Sequence, residues 1–271
     1  MYQRKQISNR IFEINMYNRI DLNCDMGESY GACVVGNDPE IMPLISSANI
    51  ACGFHGGDPG IIHQTIRLAQ VHGVSVGAHP SYPDLQGFGR REMQLTPQEV
   101  YDGILYQIGA VEAFTRAAGV QMRHVKPHGA LYNRAAKDDQ MADAIIQAVY
   151  YFDNNLWVYG PPGSAMERAA HRIGLKFCRE AFVDRTYQSD GSLTPRSNHG
   201  SLIHDTAQAI RQVEQILTSG QVTALDGSLV PIECDTFCIH GDGQHAVTFA
   251  KALQGSLRSL GFNMQSPITE P

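Results

Sequence analysis

Residues 49–80, NIACGFHGGDPGIIHQTIRLAQVHGVSVGAHP, contain one complete strand–helix–strand repeat. An apolar run leads into a Gly-rich turn that carries His55, and Asp58 then supplies the N-cap of a helix. Apolar residues recur on one face of that helix until Gly73 ends it. A second apolar run follows and ends at His79. The segment therefore predicts two parallel strands that are joined by a helix.

Seven short apolar runs of this kind occur along the chain, and each ends in a cluster of Asp, His, Glu, Lys or Gly. Strands that are buried on both faces of a parallel sheet read as such runs. The runs lead into DLNCDMGE (from Asp21), NIACGFHGGDPG (from Asn49), GVSVGAHP (from Gly73), RHVKPHGALYN (from Arg123), WVYGPPGS (from Trp157), KFCREAFVDR (from Lys176) and TFCIHGDG (from Thr236). Because catalytic groups gather where parallel strands end side by side, we expect these endings to meet at one pocket.

The segments between the runs carry the residues that typically start and end helices. A capping box at Thr96 and Glu99 opens one that continues to Gly119. Further helices are predicted over residues 58–73, 138–152, 165–173, 201–218 and 245–260. Strands and helices thus alternate, which predicts an α/β fold of parallel units. About seven units favour a single closed β/α barrel over residues 17–271, with an open doubly wound sheet as the alternative and residues 1–16 as an N-terminal extension.

Composition argues against several functional classes. The formal net charge is −6, and no basic run with interleaved aromatic residues occurs, so nucleic acid is not an expected partner. No apolar stretch approaches the roughly 18 residues that span a bilayer, and the N-terminus lacks the apolar core of a signal peptide. A cytoplasmic protein without a membrane partner is expected. The six scattered cysteines are predicted to be reduced core residues.

Two long connections without an apolar period follow predicted strands. They cover residues 80–94 and 184–200 and are rich in Gly, Pro and Ser. Long loops in a compact domain are often functional. We expect both to leave the active rim and to cover the pocket, which would exclude water.

Polar residues alternate along the first run, at Asp21, Asn23 and Asp25. Alternate positions of a strand share one face, so these side chains are expected to point into the barrel or its mouth. Buried polar groups there need partners. The alternative is a turn in which Asp25 caps backbone amides. Glu28 follows as a candidate for substrate binding, or as a solvated loop residue.

Titratable side chains end the other runs. The candidates are His79, Lys126, His128 and His240, and the carboxylates expected beside them are Asp25, Glu180, Asp184 and Asp242. An apolar mouth destabilises the charged form of His or Lys, which brings proton exchange into the working pH range. Acid–base chemistry is the predicted use, and structural hydrogen bonding is the alternative for each His.

Gly-rich turns precede three predicted helices, at residues 53–57, 160–164 and 241–243. Exposed backbone amides beside a helix N-terminus bind phosphate or carboxylate. Gly53 and Gly56 are therefore candidate anion-binding positions, although tight turns require glycine in any case. Neither a Walker A motif nor a dinucleotide fingerprint is present.

A divalent metal is a further possible use of the histidines. The residues that could supply such a site are Asp25, His55, His79, His128 and His240. No local spacing such as H-E-x-x-H supports it. No metal ligand is therefore assigned from the sequence.

The motifs together resemble the LamB/YcsF family. DLNCDMGE, NIACGFHGGDP, GAHPSYPDLQGFGRR, HVKPHGALYN, DRTY, DGSLTPR and HGDG occur in family order between about Ile20 and Leu260, and residues 1–16 fall outside the match. The resemblance implies a (β/α)7-type, TIM-like barrel similar to the glycoside hydrolase/deacetylase superfamily. It also implies ATP-dependent opening of 5-oxoproline to L-glutamate together with partner subunits B and C. The metal of that superfamily is not carried over, because the compact deacetylase pattern is missing.

The implied chemistry assigns roles to the candidates. Phosphorylation of the lactam oxygen by ATP, with Mg²⁺, would turn an unreactive amide into an electrophile. His55, Lys126 and Arg90 or Arg91 are expected to stabilise the phosphoryl and carboxylate charges. The predicted bases are Asp25, Glu180 or Asp242, and the predicted proton relays are His79, His128 or His240. Substrate or phosphate contacts are expected from Asn23, Glu28, Gly53, Gly56, Arg90, Arg91 and Asp184.

Two other functional classes remain open at this stage. One is a metal-dependent amidohydrolase or carbohydrate deacetylase that acts alone. The other is a non-catalytic subunit that binds the lactam and passes it to its partners.

Overall fold

Seven parallel strands close into a barrel in the computed structural model, which describes residues 19–241 and 246–268. The barrel strands are β1 (Arg19–Met26), β2 (Ser47–Ala51), β3 (Ser75–His79), β4 (Met122–Val125), β5 (Trp157–Gly160), β6 (Lys176–Phe182) and β9 (Thr236–His240). Neighbours pair in this order, and β9 pairs with both β6 and β1, which closes the barrel. The predicted barrel is therefore confirmed, and the open-sheet alternative is wrong.

Helices lie between most of the strands. Those described are α1 (Asp38–Ile41), α2 (Pro59–His72), α3 (Pro97–Ala118), α4 (Gly129–Ala135), α5 (Asp139–Phe152), α6 (Ala165–Ile173), α7 (Thr206–Ser219) and α8 (Ala246–Ser259), with a 3₁₀ turn at Met42–Leu44. A hairpin of β7 (Gln221–Thr223) and β8 (Leu229–Pro231) follows α7, and β10 (Asn263–Met264) pairs with β1. Within the described residues, no helix combines the length and apolar character needed to cross a membrane.

Capping decides where the helices begin. Asp58 accepts the amide of Ile61 at 2.9 Å, as its predicted N-cap role requires, and the capping box at the start of α3 is present. The predicted start of α7 at Ser201 is wrong by five residues. Asp205 caps this helix by accepting the amide of Gln208 at 2.7 Å, so regular structure begins only after it. The short α1 and α4 were not predicted, because neither has a side-chain cap.

The inside of the barrel is polar. Asp21 Oδ2 accepts hydrogen bonds from Thr236 at 2.6 Å and from Tyr159 at 3.2 Å, and these residues lie on β9 and β5. Asn23 Nδ2 in turn donates to Thr236 Oγ1 at 2.8 Å. Leu22, between them on β1, belongs instead to the apolar core. The expected alternation on β1 is therefore present, and its polar face lines the interior.

Gly77 on β3 leaves room for a histidine inside the barrel. His124 is fully buried, and its Nε2 lies 2.8 Å from Asn49 Oδ1. Burial lowers the pKa of His124 to about 3, so the ring is neutral. A Cβ at position 77 would overlap this ring. The absence of a side chain at Gly77 thus fixes the position of His124 and, through it, of Asn49.

Gly77→Ala is expected to lower the free energy of unfolding by roughly 1–3 kcal/mol, because overpacking forces the His124 ring to move. Urea unfolding measures the change. The matched control is Gly109→Ala in α3, where a Cβ meets nothing within 4 Å. That change should leave stability equal or higher, because alanine favours helix. Equal losses in the two variants would contradict this account of Gly77.

Candidate active site

Lys126 lies directly after β4, at the carboxyl end of the barrel, and is only 2% exposed. Its Nζ lies 2.9 Å from Asp25 Oδ1 and 2.8 Å from Glu180 Oε1. Asn23 Oδ1 at 3.2 Å and Cys238 Sγ at 3.0 Å complete its surroundings. Burial opposes the charge, but the neighbouring Asp25 and Glu180 hold the pKa of Lys126 well above its usual value. The side chain is therefore a buried ammonium.

The two carboxylates beside Lys126 are held by further donors. Asp25 Oδ1 also accepts Asn49 Nδ2 at 2.9 Å, and Asp25 Oδ2 lies 3.2 Å from His79 Nε2. Although burial opposes ionisation, His79 and Lys126 hold the pKa of Asp25 well below its usual value. Glu180 Oε1 contacts the ammonium as an ion pair outside hydrogen-bond geometry, and its Oε2 accepts the Tyr132 hydroxyl at 2.7 Å.

Backbone pairing beyond the strands brings two histidines together. Lys126 N donates to Ala78 O at 2.9 Å, and His128 N donates to Pro80 O at 2.8 Å. The chain after β4 therefore continues alongside the end of β3. As a result, His128 Nδ1 lies 2.9 Å from His79 Nε2. Both rings are at least 95% buried.

The tautomers of these histidines follow from their other ring nitrogens. His79 Nδ1 lies 2.6 Å from Lys126 O, and His128 Nε2 lies 2.9 Å from Phe88 O. A backbone carbonyl only accepts, so each of those nitrogens must carry a proton. In the neutral ring His128 Nδ1 is then a lone-pair nitrogen, and His79 Nε2 faces both this nitrogen and Asp25 Oδ2. Burial holds the pKa of His128 well below its usual value.

His55 joins this group from the turn after β2. Ser81 Oγ donates to Tyr82 O at 2.8 Å, so it accepts from His55 Nδ1, which is 2.9 Å away. The remaining nitrogen, Nε2, lies 3.3 Å from Glu28 Oε1. The ring stacks on His128 with centroids 3.8 Å apart and planes 3° from parallel. Burial holds the pKa of His55 well below its usual value.

The loop at residues 80–94 lies against these histidines. The ring of Phe88 packs edge-on against both His55 and His128, with centroids 5.6 and 5.3 Å away. Gly89, at φ +64°, has no room for a side chain, because a Cβ would lie 2.9 Å from the His128 ring. The segment thus contacts the group that it was expected to cover.

A second imidazole–carboxylate pair lies at the rim. His240 Nδ1 lies 2.8 Å from Asp184 Oδ2, and Arg196 donates to His240 Nε2 at 2.9 Å. Burial opposes ionisation of Asp184, but His240 and Arg196 hold its pKa below the usual value. The His240 side chain is 13% exposed, more than any other histidine of the site. The loop at residues 184–200 therefore also reaches the site, through Arg196.

The structure leaves several predicted positions outside this arrangement. The Arg91 side chain is 63% exposed and pairs with Asp84, whereas the Arg90 guanidinium lies 4.7 Å from the centre of the Phe88 ring. Gly53 N donates to Gly56 O at 2.8 Å, inside the turn. Gly56 packs on the backbone of Glu28, where a Cβ would lie 2.7 Å from its carbonyl oxygen. Anion binding by these residues stays a prediction.

Asp242 lies outside the described residues, as do residues 1–16, which were predicted to be an extension. Asn23 lies in the middle of β1, and the other candidates from Asp25 to His240 lie toward the carboxyl end of the barrel or in the loops that follow its strands.

Several residues of the site were missed from the sequence, among them Asn49, Cys238 and Tyr132, as well as Ser81, Phe88 and Arg196. Asn49 and Cys238 are the strand partners of Asp25 and Asn23, respectively, so strand register would have identified them. Tyr132 lies on α4, which was itself not predicted. Burial raises the pKa of the Cys238 thiol well above its usual value, so it is a neutral neighbour of Lys126.

Comparison with known proteins gives consistent results. The LamB/YcsF family model matches residues 20–270. The 5-oxoprolinase A subunit from Bacillus licheniformis is 51% identical over 249 residues, which cover 92% of this chain and 98% of that protein. The 5-oxoprolinase A subunit from Bordetella parapertussis is 53% identical over 247 residues, with 91% and 98% covered. The crystal structure of a lactam utilization protein from Thermus thermophilus is 50% identical, with a TM-score of 0.86 and 91% and 99% covered.

Tyr132→Phe is expected to lower the free energy of unfolding by roughly 1–3 kcal/mol, because it removes a donor from the buried Glu180 carboxylate. Tyr106→Phe is the matched control, since Tyr106 is 67% exposed and should lose less than about 0.5 kcal/mol. Chemical denaturation of both variants measures the difference. A Tyr132 variant as stable as the control would show that its hydroxyl is not needed to hold Glu180.

Proposed function

Because the chain belongs to the LamB/YcsF family, we propose that it is the A subunit of a 5-oxoprolinase. It takes part in the ATP-dependent cleavage of 5-oxoproline to L-glutamate, with ATP and Mg²⁺ as co-substrate and counter-ion. It works in the cytoplasm with partner subunits B and C. The observation that carries the proposal is identity of 51% or more, over nearly the whole length, with two proteins named as the A subunit of 5-oxoprolinase.

The reaction requires a site that handles anionic groups and protons together. The lactam is a resonance-stabilised amide, so the phosphoryl group of ATP is transferred to its oxygen, and ADP leaves. Water then adds to the activated carbon. The ring C–N bond breaks as the nitrogen takes a proton, and a second water releases phosphate and leaves glutamate.

Lys126 supplies a fixed positive charge for the first of these steps. Its ammonium is held by Asp25 and Glu180 and does not need to reorganise as negative charge develops on the lactam or phosphoryl oxygens. Preorganised donors of this kind are most effective where water is excluded. At 2% exposure, Lys126 meets that condition.

His240 is the best-placed proton carrier of the site. Its Nδ1 donates to Asp184, which fixes the ring orientation, and its other nitrogen faces Arg196 at the rim. A carboxylate that orients an imidazole is a common arrangement for general acid–base catalysis. His240 Nε2 therefore serves the ring nitrogen or the attacking water when the anionic substrate draws Arg196 away from it.

The direct test of the function is formation of glutamate and ADP from 5-oxoproline, measured with this chain alone and with subunits B and C added. We expect turnover only from the complete set. Turnover by the chain alone, without ATP, would support a stand-alone amidohydrolase and overturn the proposal. Lactam binding with turnover that survives replacement of Lys126 would make the chain a non-catalytic carrier.

Lys126→Met is expected to lower kcat of the assembled complex by at least about 100-fold, which is the usual loss when a preorganised charge donor is removed. Lys251→Met, on the exposed face of α8, is the matched control and should keep full activity. Circular dichroism and assembly with the partners verify that the variant is folded. A folded, assembled Lys126 variant with near-normal kcat would remove this residue from the mechanism.

Asp184→Asn is expected to lower kcat by about 10²–10⁴-fold with little change in KM, because the amide no longer holds His240 in its working orientation. Asp190→Asn changes an exposed carboxylate in the same loop and should leave both constants unchanged. Steady-state kinetics with saturating ATP separate kcat from KM. A change confined to KM would assign Asp184 to substrate binding instead.

A further inference from the structure

We propose that Glu28, His79 and His128 bind one divalent transition-metal ion of the zinc type. This inference goes beyond the proposed function, since it needs neither ATP nor 5-oxoproline. Ligand atoms of Glu28, His55, His79 and His128 all lie within 4.8 Å of one another, and all four side chains are buried. They come from four different segments, namely the loops after β1 and β2, the end of β3, and the turn before α4.

The hydrogen bonds of the histidines favour a cation at their centre. His79 and His128 each give the proton of one ring nitrogen to a backbone carbonyl, Lys126 O and Phe88 O. Such a bond to the outer nitrogen is the usual device that orients a histidine ligand toward a metal. The inner nitrogens, His79 Nε2 and His128 Nδ1, lie 2.9 Å apart, and Asp25 Oδ2 lies 3.2 Å from His79 Nε2. A lone-pair nitrogen and a carboxylate oxygen that meet at His79 Nε2 favour a positive species at this point.

Glu28 supplies the anionic member of the set. Its Oε1 lies 3.7 Å from His128 Nδ1 and 3.3 Å from His55 Nε2. The backbone of Glu28 is fixed by Gly56, whose missing side chain permits contact with the Glu28 carbonyl. The close contact between Gly56 and the Glu28 backbone thus helps to position the Glu28 carboxylate.

The spacing of the inner atoms fits a single ion. Zn–N and Zn–O bonds of about 2.0–2.1 Å in a tetrahedron separate neighbouring ligand atoms by about 3.3 Å. The observed separations of 2.9 Å and 3.7 Å around His128 Nδ1 lie on either side of this value. Shifts of about 0.4 Å would bring these two separations to that value, and the ligand atoms of Glu28 and His79 lie within 4.8 Å of each other.

His55 is a support of this site rather than a ligand. An imidazole binds a metal in the plane of its ring, and the rings of His55 and His128 are stacked and nearly parallel. Two such rings cannot both direct in-plane lone pairs at one ion. His55 instead stacks on His128 and contacts Glu28.

Two nitrogens and one carboxylate oxygen select a borderline ion such as zinc, whereas magnesium prefers an all-oxygen set. Three protein ligands also leave a coordination position for water or substrate, as catalytic zinc sites do and structural ones do not. Asp25 Oδ2 also lies beside this group, 3.2 Å from His79 Nε2. A metal here would supply Lewis acidity beside the Lys126 ammonium.

The test is metal binding by the full chain, without turnover. Protein stripped with a chelator is titrated with Zn²⁺ by calorimetry and with Co²⁺ by visible absorption, and Mg²⁺ is the negative control. We expect one equivalent of Zn²⁺ and of Co²⁺, with a tetrahedral Co²⁺ spectrum, and no binding of Mg²⁺ at this site. Glu28→Gln and His128→Asn should each weaken Zn²⁺ binding by more than about 100-fold, beyond the 10–100-fold typical of changes around a ligand set.

His63→Asn changes an exposed histidine on α2 and should bind as the unchanged protein does. Thermal unfolding with and without Zn²⁺ guards against a variant that simply misfolds, because an ion bound to the native state raises the unfolding temperature. Substoichiometric or millimolar Zn²⁺ binding by the unchanged protein would overturn the proposal, as would equal affinity in Glu28→Gln. The glutamate assay is separate, so failure of the metal site and failure of the proposed function remain distinguishable.

Discussion

The buried ammonium of Lys126 is the constraint on which the rest of the site depends. Removing an ammonium from water costs several kcal/mol, and only closely placed carboxylates offset that cost. Asp25 comes from β1 and Glu180 from β6, whereas Lys126 follows β4. These elements lie on different sides of the barrel and meet only because the sheet closes. The closed barrel therefore brings together three charges that would be unstable if they were buried apart.

A chain of hydrogen bonds extends from Lys126 into the polar interior of the barrel. Asn23 accepts from Lys126 on one side and donates to Thr236 on the other, and Thr236 donates to Asp21. Each group in this chain is satisfied by the next, as buried polar groups must be. The apolar core lies instead between the strands and the helices, where Leu22 and Met26 are fully buried. The outward face of each strand thus packs in the apolar core, and the inward face carries the polar residues of the site. This division explains why the runs are recognisable as strands although alternate positions are polar.

Much of this arrangement could be predicted because it depends on local patterns. The barrel was predicted from the seven apolar runs, and most helices were predicted from signals such as the Asp58 cap and the capping box of α3. The polar residues that end the runs pointed to Asp25, Lys126 and Glu180. The residues that the sequence did not reveal are defined by contacts between distant parts of the chain. In the sequence Cys238 looks like an ordinary core residue. The register between β1 and β9 pairs it with Asn23 and so brings it next to Lys126. Anion binding by Arg91 stays a prediction, and its side chain pairs with the buried Asp84, seven positions earlier. The short α4, which carries Tyr132, has no capping residue to signal it.

The charges of the site bear on how it can accept an anionic substrate. Asp25 and Glu180 contact the Lys126 ammonium and Glu28 lies beside the histidines, so the formal charge of these four side chains is negative, and both 5-oxoproline and ATP would bring more negative charge. A like-charged pocket repels such ligands unless a cation is added. A divalent ion at the facing nitrogens of His79 and His128 would supply two positive charges and would leave both rings in the tautomers that their carbonyl partners impose. Such an ion would balance the carboxylate excess and fit the orientation of both rings through a single interaction.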